Sequence, residues 1–194
     1  MRFLILLSQL IDKYGSNIAF TDNQVCLLGP HEPPQIADHF IYSSMPTPAV
    51  DHLIQSYRGH FPDDLLKLYA YANGLDMFRT MRKISEEISL PASKISVYGM
   101  PILADRKHIE PLNICIEDLS RLPGTPRNWL EFGCWRAICQ GEFANEYDLY
   151  VDTDDGKAYQ VERCSTSLSI IRGWQSIDDC LCGLFEEETQ TITR

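Results

Sequence analysis

Few features of this 194-residue sequence announce a chemistry, and each absence excludes something. No long apolar run is present. The unbroken N-terminal run, Phe3 to Leu7, is shorter than the roughly 7–15 apolar residues of a secretory signal, and nothing elsewhere nears the ~20 of a membrane span. Basic residues are scarce, 17 Lys+Arg against 27 Asp+Glu, and the net charge of −10 argues against a general nucleic-acid binder, which would need a basic face for the phosphates. Gly-x-Ser-x-Gly, a phosphate-binding glycine loop, a dinucleotide fingerprint and Cys-x-x-Cys are all missing. The seven cysteines (26, 115, 134, 139, 164, 180 and 182) are odd in number and irregular in spacing, unlike a disulfide framework. A reduced, cytoplasmic protein with buried thiols is the expectation. With 44% hydrophobic and 23% charged residues, the chain has the composition of one globular domain.

What is present reads as helices first, strands in the middle and a helix last. Leu4, Leu7, Ile11 and Tyr14 fall at helical spacing, with Leu6 and Leu10 beside them. Gln24–Leu28 reads as extended, and the six glycines and prolines among residues 29–48 predict loop, with a short extended piece at His39–Tyr42. Thr47 can cap a helix carrying Val50, Leu53, Ile54 and Tyr57, with Pro48 at its first position. A second helix starts at Pro62, places Leu65, Leu68, Tyr69 and Ala72 on one face, and ends at Asn73-Gly74. From Ile95 the period drops to two: Ile95–Tyr98, Trp135–Gln140, Tyr147–Thr153, Lys157–Glu162 and Leu168–Arg172 read as strands, while Asn113–Leu122 fits strand or helix. Asp155-Gly156 supplies the turn of a hairpin, and Ser176 with Asp179 opens a closing helix through Ile177, Leu181, Leu184 and Phe185. The expected fold is therefore α+β, a single domain with a mostly antiparallel or mixed sheet flanked by helices.

Several constellations reduce to structure on inspection. Asp152-Thr153-Asp154-Asp155-Gly156 fails the EF-hand register, since position 5 is Gly156 and position 12 is Arg163. Cys180 and Cys182, two apart on a helix, point in different directions. Histidines 31, 39, 52, 60 and 108 are scattered over loops and helix flanks without a catalytic signature. No catalytic residue, metal ligand or cofactor is assigned.

Charge is more informative. Residues 98–194 carry a net −8, against −2 for residues 1–97. Glu142, Glu146, Asp148, Asp152, Asp154 and Asp155 fall between Gly141 and Asp155 without one base, interleaved with Phe143, Tyr147 and Tyr150. Such a stretch is either a solvated outer face or a surface for a basic protein, steered by charge and anchored by aromatics. On the second reading the partner-binding residues are Glu142, Phe143, Glu146, Asp148, Tyr150, Asp152, Asp154 and Asp155.

The order of motifs resembles the SMI1/KNR4 (SUKH) superfamily. The resemblance begins with the helix at Val50–Tyr57 and the helix opening Phe61-Pro62-Asp63-Asp64-Leu65-Leu66-Lys67-Leu68-Tyr69. It continues through Asn73-Gly74-Leu75, Val97-Tyr98-Gly99, Trp129-Leu130-Glu131-Phe132-Gly133, the hairpin Tyr147–Val161 and the helix Ser176–Phe185. These are caps, a turn and core segments, so they speak to fold more than to function. Two departures stand out: Cys134-Trp135-Arg136 makes a bulky edge after Gly133, and residues 1–46 lie outside the common core. The implied organisation is an N-terminal extension (1–46; helix, strand and Pro-rich loop) packed on a main domain (47–188), followed by a frayed tail (189–194).

The resemblance implies a non-enzymatic binding protein. Bacterial members of the superfamily are widely inferred to be immunity proteins that neutralise toxins, often nucleases, and fungal members are regulators of cell-wall synthesis and signalling. The expected partner is a basic toxin domain covered by the acidic face, with neither nucleic acid nor membrane bound directly. A sheet face or edge could also pair two copies. The alternatives are a regulatory or scaffold module of the same fold binding a housekeeping protein, and an enzyme with a site assembled from scattered residues such as Cys139 or His108.

Overall fold

The computed structural model describes residues 1–21, 25–29, 37–56, 61–83, 89–99, 126, 128–139, 142–164 and 167–192. Among them the chain runs α1 (Arg2–Tyr14), β1 (Ile18–Phe20), β2 (Cys26–Leu28), β3 (His39–Ile41), α2 (Thr47–Ser56), α3 (Asp63–Tyr71), β4 (Leu75–Lys83) and β5 (Ser89–Val97). It continues through β6 (Trp129–Cys139), β7 (Glu142–Asp152), β8 (Ala158–Cys164), β9 (Ser167–Trp174) and α4 (Ile177–Ile192). The nine described strands form one open sheet, each antiparallel to the next in chain order. This is the α+β single domain expected, with β1 to β3 of the N-terminal segment joined to the same sheet through β3 and β4.

Alternation sets the two faces. Leu149 and Val151 of β7 turn towards the helices, where they meet Phe3 and Leu7 of α1, Leu65 and Leu68 of α3, and Leu181 and Leu184 of α4 in one buried core. A smaller cluster of Trp129, Tyr150 and Val161, with Tyr159 and Leu168 against it, packs on the opposite face. Trp129 and Tyr159 stack there at 4.7 Å and 11°. No helix of the described residues is long and apolar enough to cross a membrane.

The helix starts are tied to one another. Met1 gives α1 no side-chain cap. Asp178, in the first turn of α4, accepts from the Arg2 N–H at 2.7 Å and the Phe3 N–H at 2.8 Å. Asp64, in the first turn of α3, in turn accepts from the Asp178 N–H at 3.1 Å. Carboxylates at helix N-termini satisfy orphan donors and meet the positive end of the dipole. Within α4, Ser176 Oγ accepts from Asp179 N–H at 3.0 Å, the expected cap.

Several elements differ from the sequence reading. Strand β4 is absent from it because Phe78 adopts φ 52 and is buried directly after buried Met77, which breaks the period of two. Strand β1 is only three residues long, too short to show a period. Strand β6 starts at Trp129 rather than Trp135, and a bulge at Phe132 lets that ring join the core beside Gly133. Gly133 has no room for a Cβ, which would collide with the Ser96 carbonyl oxygen on β5. The residues after Gly133 are no edge, since β6 lies between β5 and β7. Helix α3 leaves through an extended Ala72, and Gly74 (φ 102) turns the chain into β4. The hairpin loop is Thr153–Gly156 rather than two residues, with Gly156 at φ 75 where a side chain would be strained. Helix α4 does not stop at Phe185 but runs to Ile192, into the segment expected to be a frayed tail. Its Glu188 is buried, accepting from Lys94 Nζ at 2.7 Å and Trp135 Nε1 at 3.1 Å. The ambiguous segment Asn113–Leu122 lies outside the described residues.

His39 lies neither on a loop nor on a helix flank but inside the molecule, on β3. Its Nδ1 accepts from the Phe78 N–H at 3.2 Å, and its Nε2 lies 3.1 Å from the Tyr14 hydroxyl, which donates to Asp38 Oδ2 at 2.9 Å. The Nδ1 acceptor role requires that nitrogen to be unprotonated, so the ring here is neutral. Burial lowers its pKa from 6.5 to about 4.

Two predictions follow from these contacts. Asp178→Ala should cost about 1–2 kcal/mol in urea unfolding by freeing the α1 donors, and should speed amide exchange in α1. Asp178→Asn, which keeps an acceptor, should cost less. Because the unfolded state takes up the His39 proton first, stability should be full above pH 6.5 and fall by about 3 kcal/mol as pH drops towards 4. His39→Gln should flatten that slope, which chemical denaturation at pH 7, 5.5 and 4.5 reads directly.

Candidate functional site

Two groups of polar side chains share the sheet face opposite the helices. The first crosses β4, β5, β6 and β7. Asp76 on β4 accepts from the Tyr42 hydroxyl at 2.7 Å and from Ser96 Oγ on β5 at 2.6 Å. Arg136 on β6 donates to Ser96 Oγ and to the Ser93 carbonyl, both at 3.2 Å, and forks onto Glu146 of β7 at 2.9–3.0 Å. The register explains the row, because Asp76 pairs with Ser96, Ser96 with Cys134, and Arg136 with Glu146.

Cys134 sits inside the row, fully buried, with the Tyr98 hydroxyl and Ser96 as hydrogen-bonding neighbours. Burial pushes its thiol up to about 11 despite the nearby Arg136 charge. At neutral pH it stays protonated, and a thiol in that state is a poor nucleophile. Burial likewise raises Tyr98, with Cys134 and Glu131 adding to the effect, and raises Tyr42 beside Asp76. Cys26, Cys180 and Cys182 are also buried and free, and each is pushed up by burial, Cys182 to about 11. Donors and acceptors in the row are spent on one another across four strands, which is the chemistry of a clamp.

The second group is the tip of the β7–β8 hairpin. Gly156 N–H donates to the Asp152 carbonyl at 2.8 Å and Asp152 N–H to the Lys157 carbonyl at 2.9 Å, closing the loop. Asn128, just before β6, fastens this loop from outside. Its Nδ2 donates to Asp152 Oδ1 at 2.5 Å and Asp154 Oδ2 at 3.1 Å, while its carbonyl accepts from Thr153 N–H and Oγ1, both at 2.8 Å. Asp155 accepts from Lys157 N–H at 2.9 Å and Nζ at 2.6 Å, and that lysine holds its carboxyl below the usual range.

The eight expected binding residues therefore divide. Glu146, Asp154 and Asp155 are exposed and Asp152 is half-buried. Asp148 and Tyr150 are buried at 8% and 4% exposure, so neither belongs to the surface as it stands. Tyr150 instead donates to Glu131 Oε2 at 3.1 Å and packs on Trp129. Glu142 and Phe143 open β7, and their side chains lie outside the described ones, as does that of Cys139; His31, His60 and His108 lie outside the described residues altogether. The charge is also partly neutralised, by Arg136 at Glu146 and Lys157 at Asp155. Among the described residues no group of three or more His, Cys, Asp or Glu side chains is placed to hold a metal ion. Asn128 was missed because a lone Asn before a Trp carries no sequence signal for what it fastens.

Asp76→Ala tests the clamp. It strips the Tyr42 and Ser96 hydroxyls of their shared acceptor, and should cost about 2–4 kcal/mol in stability by denaturant unfolding. Comparison of the chain with protein-family models, with curated proteins and with solved structures finds no match, so the SUKH resemblance rests on its ordered motifs alone.

Proposed function

We propose that this chain is an intracellular binding protein that docks a basic protein through the β7–β8 hairpin tip. In keeping with the SUKH resemblance, we further propose that it is an immunity protein neutralising a cognate toxin, often a nuclease, by occlusion. The observation that carries the reading is the fastening of the tip. Asn128 and the loop's own amides hold Asp152 and Asp154 in fixed positions, and Asp154 and Asp155 are open to solvent. Fixed carboxylates lose little freedom when a cationic surface arrives, and opposed charge speeds the encounter. The chain's net charge of −10 also suits a protein that competes with nucleic acid for a cationic channel.

The test separates the tip from the rest of the surface. Asp154→Lys and Asp155→Lys are combined, and Asp152 is left intact because it shapes the loop through the Asp154 N–H at 2.9 Å. Wild type and variant are immobilised side by side in lysate of the source cells, and retained proteins are identified by mass spectrometry. A basic toxin domain held by wild type should bind the variant at least about tenfold more weakly, and its affinity for wild type should fall with added salt. A housekeeping partner would move the reading to a regulatory module. Equal retention by both proteins would remove the hairpin tip as the interface.

A further inference from the structure

The apolar core does not close over the first strands of the sheet. Register places Leu75 of β4, Ile41 of β3, Cys26 of β2 and Phe20 of β1 in one row across four strands. Their exposures are 0%, 5%, 8% and 70%, so the row stays within the core as far as Cys26 and leaves it at Phe20. A cavity of about 540 Å³ opens at this point. Phe20, Cys26 and Ile41 line it from the sheet, Ile11 from α1, and Tyr71 from the end of α3. Two of the five exposed large hydrophobic side chains among the described residues, Phe20 and Tyr71, therefore face one cavity.

Ser43 and Ser44 form another wall, and their backbone is fixed to α3 on both sides. The Ser43 carbonyl accepts from Asn73 N–H at 3.0 Å, and Met45 N–H donates to the Tyr69 carbonyl at 2.9 Å. The cavity is thus preformed, and its volume lies within the roughly 300–1,000 Å³ of small-molecule sites, which are mostly apolar with a few polar groups. Among the described residues, none that lines it carries a charge, although the chain holds 27 acidic and 17 basic side chains. Burial raises the Cys26 thiol and the Tyr71 hydroxyl above their ordinary ranges, with Cys26 and Asp12 adding to the effect on Tyr71. Both groups keep their protons at neutral pH, and the lining stays neutral.

We infer that this cavity is a binding site for an uncharged aromatic small molecule, its ring against Phe20 and Tyr71 and its polar group at the exposed Ser44 hydroxyl. Charge selects the occupant. A charged ligand would give up its water here without meeting an opposite charge, and the net −10 of the chain repels an anion further. The two aromatic side chains favour a ring over an aliphatic chain, since aromatic pairs gain more than their buried area alone supplies. Volume sets the scale, that of one small molecule. The site lies at the β1–β3 end of the sheet and uses no residue of the β7–β8 hairpin tip, so it holds or fails separately from the docking of a basic protein.

A matched pair of fluorescent probes tests it: phenylnaphthylamine, which is uncharged, and anilinonaphthalene sulfonate, which has the same rings and one negative charge. With either probe held near ~1 µM and the chain raised to about 500 µM, the uncharged one should saturate with a Kd on the order of 10–100 µM. The sulfonate should bind at least about tenfold more weakly. Phe20→Ala with Tyr71→Ala, both at exposed positions, should weaken the uncharged probe at least about tenfold. Ile170→Ala with Ile171→Ala, exposed on β9 at the opposite end of the sheet, should leave its binding unchanged. Amide NMR on the wild type needs no variant: the Phe20, Cys26, Ile41 and Ser44 resonances should shift with the uncharged probe, and those of β9 should not. Equal affinity for the two probes, loss of binding in the β9 variant, shifts confined to β9, or no binding up to about 500 µM chain would each overturn the inference. So would a signal that rises and then falls as the chain is concentrated, which would give the cavity to a second copy.

Discussion

Everything on the helical side of the sheet depends on where three helices begin. The nine described strands form an antiparallel meander with one apolar face to cover, and the α1, α3 and α4 starts meet over it. Asp64 holds the start of α4, and Asp178 within α4 holds the start of α1. Helix starts leave backbone donors without partners, so the two carboxylates that accept from them tie the positions of three helices to one another. With α1 and α4 so placed, Phe185 meets Phe3 at 6.1 Å and Phe78 at 5.5 Å. The second of those contacts helps to hold Phe78 in the left-handed region, a conformation that costs an ordinary residue about 1–3 kcal/mol.

The opposite face works by a different rule. There, hydrogen bonds and charge pairs replace apolar area between β4 and β7, and aromatic stacking takes over towards β8. Such a row specifies register, since sliding β4 against β5 would part Asp76 from Ser96, and sliding β6 against β7 would part Arg136 from Glu146. This explains why polar side chains are dense on this face.

Much of the architecture was legible from elementary patterns. The stripe of α1, the cap at Ser176 and the alternation of Tyr147 to Asp152 are local signals, and the chain obeys them. Where sequence reasoning failed, a distant contact had overridden a local one. Glu188 reads as a polar residue beyond the closing helix until Lys94 and Trp135 are seen to receive it. Phe78 reads as a break in periodicity until His39 and Phe185 are seen against it. The acidic stretch was read as one surface, yet alternation alone sends neighbouring carboxylates to different environments. Asp148 is buried while Glu146 stays in solvent. Composition counts charges but does not say which face of a strand carries them.

The Asp178 contact with α1 has a consequence for how the molecule is made. The two partners are 176 residues apart in sequence, so α1 leaves the ribosome long before its acceptor exists. At about 5–20 residues per second, the interval is roughly ten to thirty-five seconds. During it the strands can pair in the order they emerge, each with the one just made, because every pairing in this sheet joins consecutive strands. The apolar stripe of α1 has no α4 to pack on meanwhile. α1, made well before α4, is therefore among the last helices to be locked, and a chaperone that shields exposed leucines would find its substrate there.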